Sequence, residues 1–281
     1  MSKIPRWRRN LYRVAGYSCV GYLVIAVSAM FFENYLVYFP TKASSYWDEA
    51  PQLPKRDLNF ISADGTKIHA WWCPRDGAPG ALLYCHGNGG NLSMRAEWFR
   101  DLQEGLNVSV LAIDYPGYGK SDGRPSEQGC YAAAEAAFDW LTNEAHIPPE
   151  QIVLFGESLG GGVATEIATR RPCRALVLYC SFLSVPEVGQ HHYRFLPVRR
   201  FMRNRFDNDS KIPGLKIPVF IAHGDADGVI PPSHAMQLFA IANGPKAIYW
   251  EAGAGHVMDP SPAFLAALRD FLEKHAPVAP K

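Results

Sequence analysis

This chain of 281 residues carries little that would mark a metal, redox or nucleic-acid protein. Its six cysteines form no C-x-x-C pair and no Cys/His cluster at ligand spacing, which excludes zinc-ribbon and thioredoxin-like readings. Cys85 and Cys180 end apolar runs and read as buried packing residues. An excess of either charge is also missing. Lys+Arg number 28 against 27 Asp+Glu, a net charge of +1, so no nucleic-acid partner is implied. No internal repeat or low-complexity segment interrupts the chain. The glycine-rich stretch Gly87-Asn88-Gly89-Gly90 lacks the lysine and Ser/Thr of a phosphate-binding P-loop. What is present is 48% hydrophobic content, enough for about 240 residues beyond the N-terminus to bury one large core.

Long apolar runs are scarce, with one exception. Lys3, Arg6, Arg8, Arg9 and Arg13 precede an uncharged run over 14–32, which Glu33 closes. A helix of about nineteen residues spans about 28 Å, close to the hydrocarbon thickness of a bilayer. Basic residues before the run and none immediately after it predict a single-pass transmembrane anchor over 14–32. Residues 1–13 would then stay in the cytoplasm, with the domain that follows the run across the membrane. A cleaved signal peptide competes with this reading, because Val27-Ser28-Ala29 suits a small-residue cleavage site. Against it, the run continues into Met30-Phe31-Phe32. Residues 33–57 read as a linker, with Pro and Ser concentrated in 41–54, ahead of a domain over 58–275 and a tail over 276–281.

Within the domain, 58–62 and 66–72 read as strands joined at Ala63-Asp64-Gly65, a hairpin signal. Strands and helices then alternate. Apolar strands are expected at 81–85, 108–113, 152–155, 175–179, 217–222 and 247–250, and helices at 94–106 and 262–275. Ser126 is placed to cap a further helix running to Trp140. Eight strands spaced by helices imply an α/β fold, a mostly parallel sheet covered on both faces. In such sheets functional loops gather at the carboxyl ends of the strands. Three loops satisfy that rule: His86-Gly87-Asn88-Gly89-Gly90-Asn91, His223-Gly224-Asp225-Ala226-Asp227-Gly228 and Gly253-Ala254-Gly255-His256.

On the same edge falls Gly156-Glu157-Ser158-Leu159-Gly160, between the run Ile152-Val153-Leu154-Phe155 and a helical stretch that begins at Gly161. A serine at a sharp strand-to-helix turn is lifted clear of the backbone, and the flanking glycines permit the strained dihedrals and close packing. Such a hydroxyl needs a base to take its proton. Of nine histidines, His256 is the best placed, because it follows both the serine and the acidic loop in the order Ser…Asp…His. His86 and His223, at strand ends beside a glycine, read as loop supports. His191 and His192 have no further ligand at metal spacing, and His69, His146, His234 and His275 lack context. Asp225 and Asp227 compete as the acid that orients the imidazole. Leu159 opens a helix just after the serine, where a free amide favours negative charge, so its N–H is a candidate oxyanion donor.

The soluble part resembles the α/β-hydrolase superfamily, and within it the membrane-anchored Bem46-like hydrolases. The matching segments are Leu36-Val37-Tyr38-Phe39-Pro40, the loop from His86 to Asn91, Asp114-Tyr115-Pro116-Gly117-Tyr118-Gly119-Lys120-Ser121, the serine turn, and His223-Gly224-Asp225-Ala226-Asp227. The resemblance implies an α/β-hydrolase fold with a short or absent cap, since only 180–216 is free to cover the site. In the family the loop after the seventh strand reads H-G-x-x-D with the final D as acid, which carries over to Asp227. The second oxyanion donor is implied in the loop after the third strand, at Asn88 with Gly89 in reserve, and Asp114 falls in a structural turn. Catalysis through Ser158, Asp227 and His256, with no metal or organic cofactor, is the implied chemistry. Its substrates would be carboxylic esters or thioesters, from small molecules or lipids.

Two features bear on specificity and accessibility. If 198–203 is helical, Val198, Phe201 and Met202 share one side and Arg199, Arg200 and Arg203 the other. The basic side is either an ordinary solvated face or a contact for anionic headgroups. Asn91, Asn107 and Asn208 begin N-x-S sequons, and a glycan on Asn91 would obstruct the proposed oxyanion loop. A serine peptidase or amidase of the same fold remains open, as does a non-catalytic, membrane-tethered binding protein.

Overall fold

The computed structural model describes residues 5–256 and 259–278. Lys3 of the basic N-terminus and residues 279–281 of the expected tail lie outside the described residues. The apolar runs become β1 (Arg56–Ile61), β2 (Lys67–Cys73), β3 (Ala81–Cys85), β4 (Ser109–Ile113), β5 (Ile152–Glu157), β6 (Ala175–Tyr179), β7 (Val219–Gly224) and β8 (Lys246–Glu251). They form one 8-stranded sheet in the order β8-β7-β6-β5-β3-β4-β2-β1. β2 runs antiparallel to both its neighbours, and every other pair is parallel. Every residue of β3, β4, β6 and β7 is buried, as strands covered on both faces require.

The longer helices are α1 (Arg6–Phe31), α2 (Ala96–Leu106), α3 (Glu127–Asn143), α4 (Leu159–Arg170), α5 (Val185–His192), α6 (Ser233–Ile241) and α7 (Pro262–His275). Alternation along each strand divides the core in two. Leu83 of β3 belongs to one core cluster with residues of α3, α4 and α6 such as Phe138, Val163 and Leu238. Its neighbours Leu82 and Tyr84 pack with α2 and α7, through Phe99, Leu102 and Phe264. Ser126 caps α3 by accepting the Gly129 N–H at 3.1 Å. The helix expected at 94–106 begins instead as a tighter 3-10 turn, Leu92–Arg95, because the Asn91 side chain accepts the Ser93 N–H at 3.0 Å.

The parallel register aligns Cys85 with Gly156, Glu157 with Tyr179, and His223 with Trp250. The carboxyl ends of β3, β5, β6, β7 and β8 therefore form one rim. Over that rim lies a short cap made of α5 and the single turns Val198–Phe201 and Asn208–Lys211.

Two N-terminal segments complete the chain. α1 is long and apolar enough to cross a bilayer, and none of its residues is buried. The stretch 33–57, expected as a linker, is packed onto the domain. Phe39–Pro40 pairs in parallel with Gly89–Gly90, Ala50 and Leu53 are buried, and Asn91 donates to the carbonyls of Thr41 and Tyr46. Proline and serine suggested free chain, but irregular backbone packs well when buried amides supply its partners.

Candidate active site

The turn between β5 and α4 explains why its sequence reads Gly-x-Ser-x-Gly. A Cβ on Gly156 would lie 2.4 Å from the Gly160 carbonyl oxygen, and one on Gly160 would lie 1.9 Å from that of Cys85. Only glycine fits at either place. Between them Ser158 adopts φ 50° and ψ −113°, a conformation that costs an L-residue of order 1–3 kcal/mol and persists only where surroundings enforce it. Those surroundings are the Tyr179 carbonyl, which accepts the Ser158 N–H at 2.8 Å, and Ser181 Oγ, which donates to the Ser158 carbonyl at 3.1 Å.

The structure brings Ser158, Asp227 and His256 together. Ser158 Oγ lies 3.0 Å from His256 Nε2, and His256 Nδ1 lies 2.7 Å from Asp227 Oδ2. A carboxylate can only accept, so Nδ1 carries the proton and Nε2 is free to accept from the serine hydroxyl. The other Asp227 oxygen accepts the N–H groups of Val229 and Ile230 at 2.8 and 2.9 Å. Burial alone would raise this carboxyl; hydrogen bonds from His223 and His256 outweigh it and hold the group well below the usual carboxylate range. Asp225, the competitor, instead accepts the Gly253 N–H at 2.6 Å and shapes the loop that carries His256.

Asn88 and Leu159 line the same cavity as Ser158 and His256. The Asn88 side chain donates to the Val37 carbonyl at 3.0 Å, and its own carbonyl accepts from Phe39 N and Tyr118 Oη. Its amide N–H is thus the group left for a ligand. Leu159 is the first residue of α4, where amides have no intrahelical acceptor.

Around the site, His223 and His86 support loops as read in sequence, whereas His69, Arg95 and Glu157 take roles that the sequence did not signal. His223 Nε2 donates to the Ile230 carbonyl at 2.9 Å and lies 3.2 Å from Asp227 Oδ2, so it braces the acid as well as its loop. His86, buried and bonded through Nδ1 to the Gly87 carbonyl, is pushed down to about 4 by burial and the nearby Arg95. His69, without context in sequence, sits between Asp57 (2.6 Å) and Asp114 (3.3 Å) and fixes the β2–β4 side of the fold. Glu157, beside the serine, accepts from Arg95 at 2.7 and 3.0 Å and from Tyr84 at 2.6 Å. Arg95 also donates to the carbonyls of Gly89 and Asn91, each at 3.1 Å. One guanidinium therefore ties the loop after β3 to the serine turn. Glu157 and Arg95 are 62 positions apart, and nothing local in sequence couples them.

Cys180, Asp227 and His256 offer ligand atoms within 4.8 Å of one another. Burial pushes the Cys180 thiol up to about 12, however, and a metal needs the thiolate. Asp227 and His256 are already engaged with each other. Of the sequons, Asn91 and Asn208 are fully buried, so neither side chain is open to a glycan in the folded chain. Asn107 accepts from Arg75 Nε at 2.8 Å on the surface.

A family profile described as alpha/beta hydrolase fold matches residues 80–210. A protein of Mycobacterium tuberculosis described as uncharacterized is 40% identical over 248 residues, covering 86% of this chain and 87% of its own. The Arabidopsis thaliana alpha/beta hydrolase domain-containing protein WAV2 is 31% identical over 293 residues, covering 92% and 93%. Among solved structures, the Pyrococcus furiosus esterase Pf2001 superposes with a TM-score of 0.68 at 18% identity, over 85% of this chain and 99% of that one. An acetyl xylan esterase from Paenibacillus sp. R4 does so with a TM-score of 0.65 at 21% identity, over 81% and 86%. Sequence kinship along nearly the whole length and a common sheet architecture lead to one conclusion: this chain belongs to the α/β-hydrolase family.

Proposed function

We propose that the protein is a membrane-anchored serine hydrolase of carboxylic esters or thioesters, similar to the Bem46-like group. The observation that carries this reading is the relay of 3.0 Å from Ser158 Oγ to His256 Nε2 and 2.7 Å from His256 Nδ1 to Asp227 Oδ2, open to a cavity. His256 takes the hydroxyl proton as Ser158 Oγ attacks the acyl carbon, and Asp227 stabilises the imidazolium that forms. The amides of Leu159 and Asn88 hold the oxyanion, each worth about 3 kcal/mol in the chemical step. The C–O or C–S bond then breaks, and the leaving group receives the proton held by His256. Water, deprotonated by the same imidazole, releases the acid and restores the serine.

Anchoring rests on α1, with Arg6, Arg8, Arg9 and Arg13 at its start and no basic residue in its last turn. That asymmetry favours a cytoplasmic N-terminus and a catalytic domain on the opposite side. Oxyester substrates are the first to try, since esterases share the fold.

The test is labelling of the full chain by a fluorophosphonate, together with hydrolysis of p-nitrophenyl butyrate. The wild type should label and turn over, and Ser158→Ala should do neither. An unlabelled wild type would point to a binding protein, and cleavage of peptide amides but not esters to a peptidase.

A further inference from the structure

The cavity over Ser158 has a wall that hydrolysis itself does not require. It encloses about 570 Å3, within the range of about 300–1,000 Å3 usual for small-molecule sites. Its polar groups include Ser158, His256 and Asn88, while most of its remaining lining is apolar. Part of that apolar surface comes from the cap, at Val188, Val198 and Met202. Another part comes from α1, at Ile25, Ala26, Ala29 and Met30.

Ile25 and Ala29, Ala26 and Ala29, and Ala26 and Met30 are three or four apart, so these positions share one side of the helix. Ala26, Ala29 and Met30 are half-buried, Ile25 at the edge of that side is 60% exposed, and Val24 on the opposite side is 59% exposed. One side of α1 therefore faces the cavity, and its other sides present the apolar surface of a span. A helix serving only as a tether has no need to enter the site.

α1 is also fastened to the cap at several levels. Tyr22 Oη donates to the Phe195 carbonyl at 2.7 Å, and Arg203 Nη2 donates to the Met30 carbonyl at 2.7 Å. Just beyond α1, the buried Glu33 carboxylate accepts Arg203 N–H at 2.9 Å and Asn204 N–H at 2.7 Å, with Asn204 Nδ2 at 2.8 Å. A buried carboxylate without such partners would be costly, so these bonds hold the helix in one register against the cap. Arg203, read in sequence as part of a free basic face, is used in this seam.

We propose that α1 forms part of the acyl-binding site, and that the substrates are long-chain acyl esters or thioesters whose chain lies between α1 and the cap. The proposal rests on the serine-hydrolase reading above. A chain leaving the bilayer along α1 reaches Ser158 without crossing water, and Ala26 and Ala29 leave it room where larger side chains would fill the gap. Its chemistry is common to membrane lipids and to acylated proteins.

The experiment compares p-nitrophenyl palmitate with p-nitrophenyl butyrate, using the full chain in non-ionic detergent. Ala29→Trp should lower the palmitate-to-butyrate ratio of kcat/KM at least tenfold. Ala26→Leu, a milder change that keeps the helix intact, should lower it about threefold. Val24→Trp, on the opposite side of α1 and 59% exposed, should leave both rates as in the wild type. Fluorophosphonate labelling of Ser158 reports that each variant is folded. A ratio unchanged in labelled Ala29→Trp and Ala26→Leu overturns the acyl-site proposal and leaves the hydrolase reading standing. A wild type that neither labels nor cleaves either ester overturns both. Release of palmitate from dipalmitoyl phosphatidylcholine in mixed micelles with the same detergent, or from an S-palmitoyl peptide, supports the site and tells a lipid source from a protein one.

Discussion

The serine turn and the cap-side wall meet over the same cavity, yet different constraints hold them in place. At the turn, backbone atoms are in contact: the 1.9 Å clash awaiting a Cβ on Gly160 leaves one residue type possible. Charge surrounds it, in the largely buried Arg95–Glu157 pair and the buried carboxylate of Asp227. On the cap side, α1, α5 and the turn at Val198–Phe201 meet mostly through apolar side chains, with polar ties at Tyr22 and Glu33, and Phe195 is left 91% exposed. Errors of a few tenths of an ångström would break the first region, whereas the second responds to volume. The proposed chemistry thus depends on a rigid frame and the proposed selectivity on an adjustable surface. Substitutions in the two regions should fail in different ways, the first in kcat or folding and the second in substrate preference.

Asp227→Asn probes the frame most severely. Asparagine keeps the shape but can present an N–H to His256 Nδ1, which favours the wrong imidazole tautomer. The expected result is a fall in kcat of about 10⁴-fold with little change in thermal stability or KM, since an equivalent change in a known triad has that effect. Asp225→Asn, by contrast, changes an acceptor whose side-chain partner among the described residues is the Gly253 amide, and should cost far less. Equal losses in the two variants would mean that Asp227 does not orient the base.

That contrast also shows what could be read from sequence. The turn was legible because its glycines are obligatory and contiguous, and the sheet because fully buried strands require unbroken apolar runs such as Ala81–Cys85. Choosing between Asp225 and Asp227 needed a family pattern, because two carboxylates in one loop have the same local chemistry. The Arg95 bridge was illegible, since a guanidinium in a helix reads as a surface charge until the loop and strand beside it are known. The α1 wall was hidden by its own strongest signal. A run of apolar residues announces a bilayer span, and nothing in it separates the stripe that faces lipid from the stripe that faces a cavity. The Pro- and Ser-rich stretch misled for a related reason, as composition reports backbone preference and not whether Asn91 awaits its carbonyls.

Arg95→Met tests whether the frame resists a purely apolar replacement, which the cap side should tolerate. It strands Glu157 in a largely buried position, a change expected to cost about 3 kcal/mol at neutral pH, or roughly 10 °C in Tm. The pH dependence gives a sharper signature. Burial alone would raise the Glu157 carboxyl, but Arg95 and Tyr84 bring it from an ordinary 4.5 down to about 2. A carboxyl depressed in the folded state adds stability that is complete above the unfolded value and is lost as pH falls towards the folded one. The wild type should therefore lose this contribution between about pH 4.5 and 2, the window set by that shift. In Arg95→Met the carboxyl binds a proton more readily when folded, so the two proteins should converge in Tm as pH falls through that window. A constant gap between them from pH 7 to pH 3 would mean that Arg95 acts by packing alone.

Asn88→Ala is the smallest expected change and asks where the frame ends. Although it lines the cavity beside Ser158, the Asn88 side chain is turned away to the Val37 carbonyl, on the segment that leads back to α1. Removing one partly exposed hydrogen bond of this kind costs about 1 kcal/mol of stability. The oxyanion donor at this position is the backbone N–H, which alanine retains, so kcat on p-nitrophenyl butyrate should fall less than about threefold, well below the loss of about 10²–10³ for a missing donor. A larger loss confined to palmitate would show that the bond to Val37 holds the segment after α1 in register with the cap, extending the adjustable surface to the edge of the oxyanion loop. A hundredfold loss on both esters would instead place the Asn88 carboxamide itself on the developing oxyanion.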